Sequence, residues 1–211
     1  MKHTVPCVGY CIQEMRKPGR LRVEVLEEAL QRNAAALTAA SDHRDPRRVF
    51  RQVKAMQPGE TFTFPDGESF TYEQVISPPR RGRKVVILGD TCDASAMAPL
   101  AMDADVVVHE ATNTFLPPFD AGKSYREVEA DTISHGHSTP HMAARFARQV
   151  RARQLVLSHF SPRYKGDDSL ESAGVMRRIE AQAAKSGGFR SDQVVAAWDL
   201  LCLPVATEDA W

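Results

Sequence analysis

Apolar residues in the second part of the chain follow a pattern that predicts buried strands alternating with helices. Continuous apolar runs of the kind found in strands buried on both faces occur at Lys84–Leu88, Asp105–His109 and Gln154–Ser158. Helical spacing or a proline-capped start predicts helices at Met97–Met102, Thr139–Arg151 and Leu170–Lys185, and a final strand is expected at Gln193–Leu203. This alternation predicts a layered α/β domain.

The first part of the chain has a different pattern of apolar and polar residues. Thr4–Glu14 is expected to form a strand, which the turn signal Lys17-Pro18-Gly19 ends. The stretch from 20 to 79 then predicts a helix at Val23–Ala40, a basic helix from Pro46 to Ala55, and a hairpin of Thr61–Phe64 with Ser69–Tyr72. We interpret this stretch as an inserted arm rather than as a layer of the main core.

Charge and composition limit the classes of function. The 211 residues suffice for one compact domain, and 27 basic side chains balance 27 acidic ones. RNA binding would therefore depend on local patches, His43–Lys54 and Arg80–Lys84, although a solvated helix face and a charged loop explain them equally well. No apolar run is long enough to cross a membrane. The four cysteines form no C-x-x-C pair and are interpreted as reduced thiols, so we expect an intracellular protein of the cytosol or nucleus, with an organelle not excluded.

Polar residues follow each predicted buried strand. Asp90, Glu110 and His159 stand at the ends of three successive strands, and His137 lies in the loop before a capped helix. Any one of them could be a helix cap or a histidine satisfied by hydrogen bonds. Because catalytic groups gather at the carboxyl ends of strands in α/β folds, the four together predict one site.

Carboxylate and imidazole are the ligands that a catalytic Zn²⁺ site uses. Such an ion activates a water molecule, and paired ions can hold a phosphoryl group during its displacement. A local cluster of His135, His137 and His141 is an alternative metal site. Pro140 starts a helix after His137, however, so His141 lies on a different element from the loop, which disfavours binding of one ion by all three histidines.

Four segments together carry a family resemblance: GRKVVILGDT, VVVHEAT, HGHSTPHMAARFA and LVLSHFSPRY. In order and spacing they resemble tRNase Z, most of all its short form, a zinc phosphodiesterase of the metallo-β-lactamase superfamily. The resemblance runs from His3 to about Val205 and is weakest within Arg22–Val53. It implies that residues 1–211 form the C-terminal half of an αββα sandwich and that the arm, 20–79, is a tRNA-binding exosite.

The resemblance also implies roles for individual residues. His3, Asp90 and His159 would be metal ligands, with Asp90 bridging two Zn²⁺ ions. His137 would act at the scissile phosphate, Glu110 would orient His137, and Arg163 would approach the phosphate. His109, His135 and His141 are expected to be structural or to support the ligands, and His43 to lie on the surface.

Basic residues of the arm are the expected RNA contacts: Arg44, Arg47, Arg48, Arg51 and Lys54. Such contacts position RNA without reading its sequence. The arm departs from the family pattern at Asp45, which stands where a glycine of a Gly-Pro motif would be expected.

The largest departure is that the family's first-half motif, His-x-His-x-Asp-His, does not occur in the sequence. His3, Asp90 and His159 alone would give neither ion three protein ligands, so we expect the chain alone not to hydrolyse RNA. It would belong to a longer product or act with a separate chain that carries the first half. The expected activity of the complete, homodimeric enzyme is removal of the 3′ trailer of precursor tRNA. The alternatives are a non-catalytic RNA-binding scaffold and a metallo-hydrolase of a small phosphodiester.

Overall fold

The computed structural model describes residues 1–39 and 45–206 and divides the chain into two units. One unit comprises Met1–Glu14 and Arg83–Trp211, and the other comprises Met15–Gly82. The predicted arm, 20–79, lies within the second unit. Among the described residues, no helix combines the length and apolarity that crossing a membrane requires.

The first unit is built on a sheet with the order β1-β4-β5-β6-β7. Its strands are β1 (Gly9–Gln13), β4 (Lys84–Leu88), β5 (Val106–Glu110), β6 (Gln154–Ser158) and β7 (Val194–Ala196). β1 pairs antiparallel with β4, and the other neighbouring strands are parallel. The α/β class predicted from the sequence is confirmed.

Two amphipathic helices cover one face of this sheet. α6 (Pro140–Gln149) and α7 (Leu170–Gly187) contribute Phe146 and Ile179 to a core that also holds Val86 and Leu155 of the sheet. The side chain of Ser169 caps α7, and Gly188 ends it in the left-handed conformation with φ 67°. α4 (Ala98–Ala101) and α5 (Tyr125–Ser134) complete the helices of this unit in the described chain.

The second unit has its own small core. It contains α1 (Val23–Ala39), α2 (Val49–Ala55), the hairpin β2 (Thr61–Thr63) and β3 (Ser69–Thr71), and the short α3 (Tyr72–Val75). Leu26, Val53, Phe64 and Val75 are fully or almost fully buried together. The four described basic candidates of this unit, Arg47, Arg48, Arg51 and Lys54, are exposed, whereas His43 and Arg44 lie outside the described residues.

Several predicted element bounds were wrong. The strand expected at Thr4–Glu14 covers only Gly9–Gln13, because Pro6 has no N–H to donate to a ladder. The strand expected at Gln193–Leu203 ends at Ala196, since a turn follows in which Leu201 N–H donates to Trp198 O at 3.1 Å. The expected helix from Pro46 begins as a 3₁₀ turn, Pro46–Arg48, and α5 was not predicted.

Candidate metal and catalytic site

The sheet topology brings four sequence-distant segments to one edge. β4, β5 and β6 are parallel, so Asp90, Glu110 and His159 emerge at the same end of the sheet. β1 is antiparallel and Gly9 pairs with Leu88, so the residues before β1 reach that end as well. Lys2 N–H donates to the Asp93 carbonyl at 3.0 Å and fixes this segment. The fifth candidate, His137, comes from the loop between α5 and α6.

The candidate ligand atoms lie close together. Those of His3, Asp90 and His137 are within 4.8 Å of one another, and so are those of Glu110, His137 and His159. The rings of His137 and His159 are stacked with centroids 5.2 Å apart, and His159 Nε2 lies 3.5 Å from Asp90 Oδ2. The structure therefore brings the predicted ligands and the predicted catalytic pair into one cluster.

Glu110 is the buried hub of this cluster. Its Oε1 accepts from Thr91 N–H at 2.6 Å and lies 3.0 Å from His137 Nδ1. Its Oε2 accepts from the Thr112 hydroxyl at 2.5 Å and from Ser138 N–H at 3.0 Å. The side chain is 2% exposed, and four donors facing its two oxygens are what an ionised carboxylate requires.

These contacts fix which nitrogen of each histidine is left free. The single proton of the Thr112 hydroxyl goes to Glu110, so the hydroxyl accepts from His159 Nδ1 at 2.9 Å. In that tautomer of the neutral ring, the lone pair of His159 is on Nε2, which lies 3.5 Å from Asp90 Oδ2 and can bind a cation. Likewise, His137 donates Nδ1–H to the carboxylate and leaves Nε2 to the open side.

His3 is oriented in the same way by the backbone of the loop before α6. Its Nδ1 lies 2.8 Å from the Gly136 carbonyl oxygen, which can only accept, so Nε2 is the nitrogen available to a metal ion; it lies 3.4 Å from the Thr4 hydroxyl. Gly136 has φ 83°, and a Cβ there would come within 2.6 Å of His3 Nδ1. Imidazoles with one nitrogen held by an oxygen acceptor, beside a carboxylate, fit a divalent cation such as Zn²⁺.

Backbone strain accompanies one predicted ligand. His159 adopts φ 54°, a left-handed conformation that is uncommon outside glycine and that recurs at functional positions. It follows β6 directly, and its ring contacts the Thr112 hydroxyl and stacks on His137.

Arg163 is committed to other protein groups. Its Nη1 and Nη2 donate to the two carboxylate oxygens of Asp120 at 2.8 and 3.0 Å, and Nη2 also donates to the Tyr164 hydroxyl. Burial opposes both charges, yet this pairing lowers the pKa of Asp120 and raises that of Arg163. Contact of Arg163 with a phosphate stays a prediction.

The other described histidines, His109, His135 and His141, lie outside the ligand groups that were found. His109 is buried, its Nδ1 donates to the Glu110 carbonyl oxygen at 2.7 Å, and burial lowers its pKa. His135 is exposed beside the Asp131 carbonyl oxygen, and the ring of His141 packs against Tyr125. His135 and His141 thus face away from His137, and the alternative three-histidine site gains no support.

Sequence reasoning missed the supporting residues Thr91, Thr112 and Ser138. One signal was readable for Thr112. It stands two residues after Glu110 at the end of a strand, where alternate residues share a face. The contacts of Thr91 and Ser138 depend on loop paths that the sequence pattern does not specify.

Comparison with known proteins found relatives of this chain, whereas no family model matches it. The ribonuclease Z of Bacillus subtilis is 37% identical over 169 residues, which are 80% of this chain and 46% of that protein. The ribonuclease Z of Lactiplantibacillus plantarum is 34% identical over 205 residues, 97% of this chain and 54% of that protein. The chain thus spans about half the length of these relatives. The structure of human tRNase Z, short form, is 31% identical with a TM-score of 0.38 and covers 59% of this chain and 34% of its own.

Proposed function

This chain is ribonuclease Z-like over the half of those proteins that it matches, and from that premise we propose that it supplies part of the active site of a zinc-dependent endoribonuclease that removes the 3′ trailer of precursor tRNA. One observation supports this most: His3, Asp90, Glu110, His137 and His159 come together from distant segments. Helix caps and buried structural histidines have no reason to converge in this way.

In this proposal His3, Asp90 and His159 hold Zn²⁺, which when bound supplies an activated water and charge stabilisation at the phosphate. His137, with a proton on each ring nitrogen, would give its Nε2 proton to the 3′ oxygen as the bond from that oxygen to phosphorus breaks and the bond from the water oxygen to phosphorus forms. The proton that the water loses would pass to a carboxylate of the missing half. Glu110 holds Nδ1–H of the same ring at 3.0 Å and stabilises the imidazolium from which that proton departs.

The chain needs a second half for this activity. In the described chain, His3, Asp90 and His159 provide fewer protein ligands than two catalytic ions require. We propose that a polypeptide with the His-x-His-x-Asp-His motif, in the same product or on a separate chain, supplies the rest. The relatives are about twice as long as the matched region, which agrees with such a partner.

The face of the sheet opposite α6 and α7 offers a surface for that half. The strand registers align Tyr10, Ile87, Val108, Val156 and Val195 in one row across all five strands. None of the five belongs to the core under α6 and α7. Tyr10 is 62% exposed and Ile87 is 39% exposed, whereas Val156 is 6% exposed. Since exposed apolar residues grouped on one face mark interaction surfaces, packing a second layer over Tyr10 and Ile87 would complete a sandwich.

The arm is proposed to hold the body of the tRNA. Arg47, Arg48, Arg51 and Lys54 are exposed on and before α2 and would contact phosphates. Arg44 is kept in this set as a prediction from the sequence alone. An intracellular location and a homodimer of the complete enzyme remain parts of the same proposal.

The test is to prepare the chain alone and joined to a first half that bears His-x-His-x-Asp-His. Bound zinc and cleavage of a tRNA carrying a 3′ trailer are then measured on both proteins. We expect cleavage by the joined protein only, and its loss in Asp90→Asn and His137→Ala. His135→Ala is the matched control, because that exposed imidazole lies two residues away and outside the ligand groups found.

A folded joined protein that binds zinc but leaves the trailer in place would contradict the proposal. RNA binding without zinc would then favour the non-catalytic scaffold. Charge reversal at Arg47 and Arg48 tests the small-phosphodiester alternative, since it should weaken tRNA cleavage and leave hydrolysis of bis(p-nitrophenyl) phosphate unchanged.

A further inference from the structure

A second concave surface, which no role above explains, opens beside His159. It is a groove of about 920 Å³ between the loop that follows β6, the first turns of α7 and the segment after β7. His159 lines it together with Phe160, Lys165, Arg177 and Trp198. Its volume lies in the range of sites that bind a small molecule or one nucleotide. His159 borders both the candidate metal site and this groove. One ligand could therefore reach from the metal site into the groove.

Trp198 is the most unusual side chain of the groove. The residue is 66% exposed although its side chain is a large aromatic group, and the turn that ends β7 holds its backbone through the bond from Leu201 N–H to Trp198 O. Phe160 also lines the groove and is half-buried, with part of its ring packed against the core. Aromatic faces of this kind bind single-stranded nucleic acid, since every base has a π-face that can stack on them.

The cations of the groove offer contacts for single phosphates rather than a continuous basic surface. Lys165 and Arg177 are exposed at its rim and can bind phosphate. Two acidic residues of the lining are used by the protein itself. Asp167 accepts from the Ser169 and Ser172 hydroxyl groups, each at 2.6 Å, and Glu180 accepts from Ala196 N–H at 2.8 Å.

Asp168 and Asp199 are the remaining acids of the lining, so four carboxyl groups stand against two cations. A groove in which acids outnumber cations does not attract RNA through its field. Binding here would therefore depend on stacking, with the cations placing single phosphates.

We propose that this groove binds an unpaired nucleotide of the RNA strand next to the scissile phosphate, with its base stacked on Trp198. This inference rests on the proposed function, because it takes the RNA to be held at His159. It assigns to Trp198 a binding role and no part in the chemistry.

The experiment uses fluorescence of the full chain. The sequence has two tryptophans, so Trp211→Phe leaves Trp198 as the sole indole. An eight-nucleotide oligoadenylate should quench its emission, whereas an abasic strand of the same length should not. By fluorescence anisotropy, Trp198→Ala should bind labelled oligoadenylate about tenfold more weakly, and Trp198→Phe should keep most of the affinity. Leu200→Ala is the matched control, because Leu200 is 99% exposed two residues further on and lies outside the lining.

Binding of oligoadenylate by Trp198→Ala at wild-type strength, or equal quenching by the abasic strand, would overturn the inference. So would failure of the wild-type chain to bind the octamer. If Trp198→Ala does not fold, Lys165→Glu with Arg177→Glu provides the second test, and unchanged affinity there counts against the inference. Quenching together with an inactive joined protein would instead refute the proposed function alone.

Discussion

Replacing Glu110 by glutamine should destabilise the chain well beyond the effect of an ordinary surface substitution. The carboxylate accepts from four donors, two of which are the backbone N–H groups of Thr91 and Ser138. A glutamine can offer its oxygen to one pair of donors only, and its NH₂ group then faces the other pair. The Thr112 hydroxyl can turn and accept, but a backbone N–H cannot.

The magnitude follows from these contacts. One buried N–H group left without an acceptor costs about 1–3 kcal/mol, and the remaining bonds lose the assistance of a charge. We therefore expect Glu110→Gln to lower the free energy of unfolding by about 2–4 kcal/mol. Urea unfolding followed by circular dichroism measures this quantity on the chain alone, without metal or RNA.

Glu127→Gln is the control of the same chemical change. Glu127 is exposed, and its Oε2 accepts from Ser124 N–H at 2.6 Å in the capping box that begins α5. A glutamine can make the same bond, so the loss there should stay below about 1 kcal/mol. If Glu110→Gln unfolds at the same urea concentration as the control, Glu110 is not the charged hub described above.

Three further outcomes follow from the same contacts. Thr112→Val should weaken zinc binding by about 10- to 100-fold, because the tautomer of His159 is no longer fixed. Competition with a chelating dye measures this affinity, and Thr112→Ser should bind zinc as the wild type does. Gly136→Ala should lower both stability and zinc affinity, since its Cβ would meet an imidazole nitrogen at 2.6 Å; Gly122→Ala, with a similar φ of 85° and open space around it, should lower stability alone. Serine hydroxyl groups hold the pKa of Asp167 at about 2, below its usual 3.8. Its contribution to stability is therefore present above about pH 4 and is lost as the pH falls towards 2. Asp167→Asn should lack this loss in acid-unfolding curves, and a curve identical to that of the wild type would contradict the assignment.

The strands that position the site were predictable because their apolar runs are continuous. The predicted bounds of β4 and β6 agree with the structure, and the residues after these strands were chosen because strand ends collect ligands. β7 was predicted too long, since the turn at Trp198 depends on backbone bonds rather than on hydropathy. α5 was missed because it has few apolar residues, and Val128 is the apolar one that it buries. Ser124 and Glu127 form a capping box that the sequence does show.

The internal partners of the site were not predictable. Arg163 was expected to approach a phosphate because of its planar fork of donors, but in the structure that fork lies on Asp120, 43 residues away along the chain. Spacing along the sequence does not indicate which loop returns to meet a guanidinium group. The same holds for Thr112 and His159, which are 47 residues apart.

The contact of His3 with Gly136 joins positions separated by 133 residues, so it has consequences while the chain is being synthesised. At about 5–20 residues per second, the segment before β1 waits roughly 7–27 s on the ribosome before its acceptor has been translated. Tyr10 and Ile12 can form their ladder with β4 only after that strand has also emerged from the ribosome. Until β4 emerges, β1 therefore presents unpaired backbone N–H and C=O groups, which is the condition under which a strand can pair with another chain.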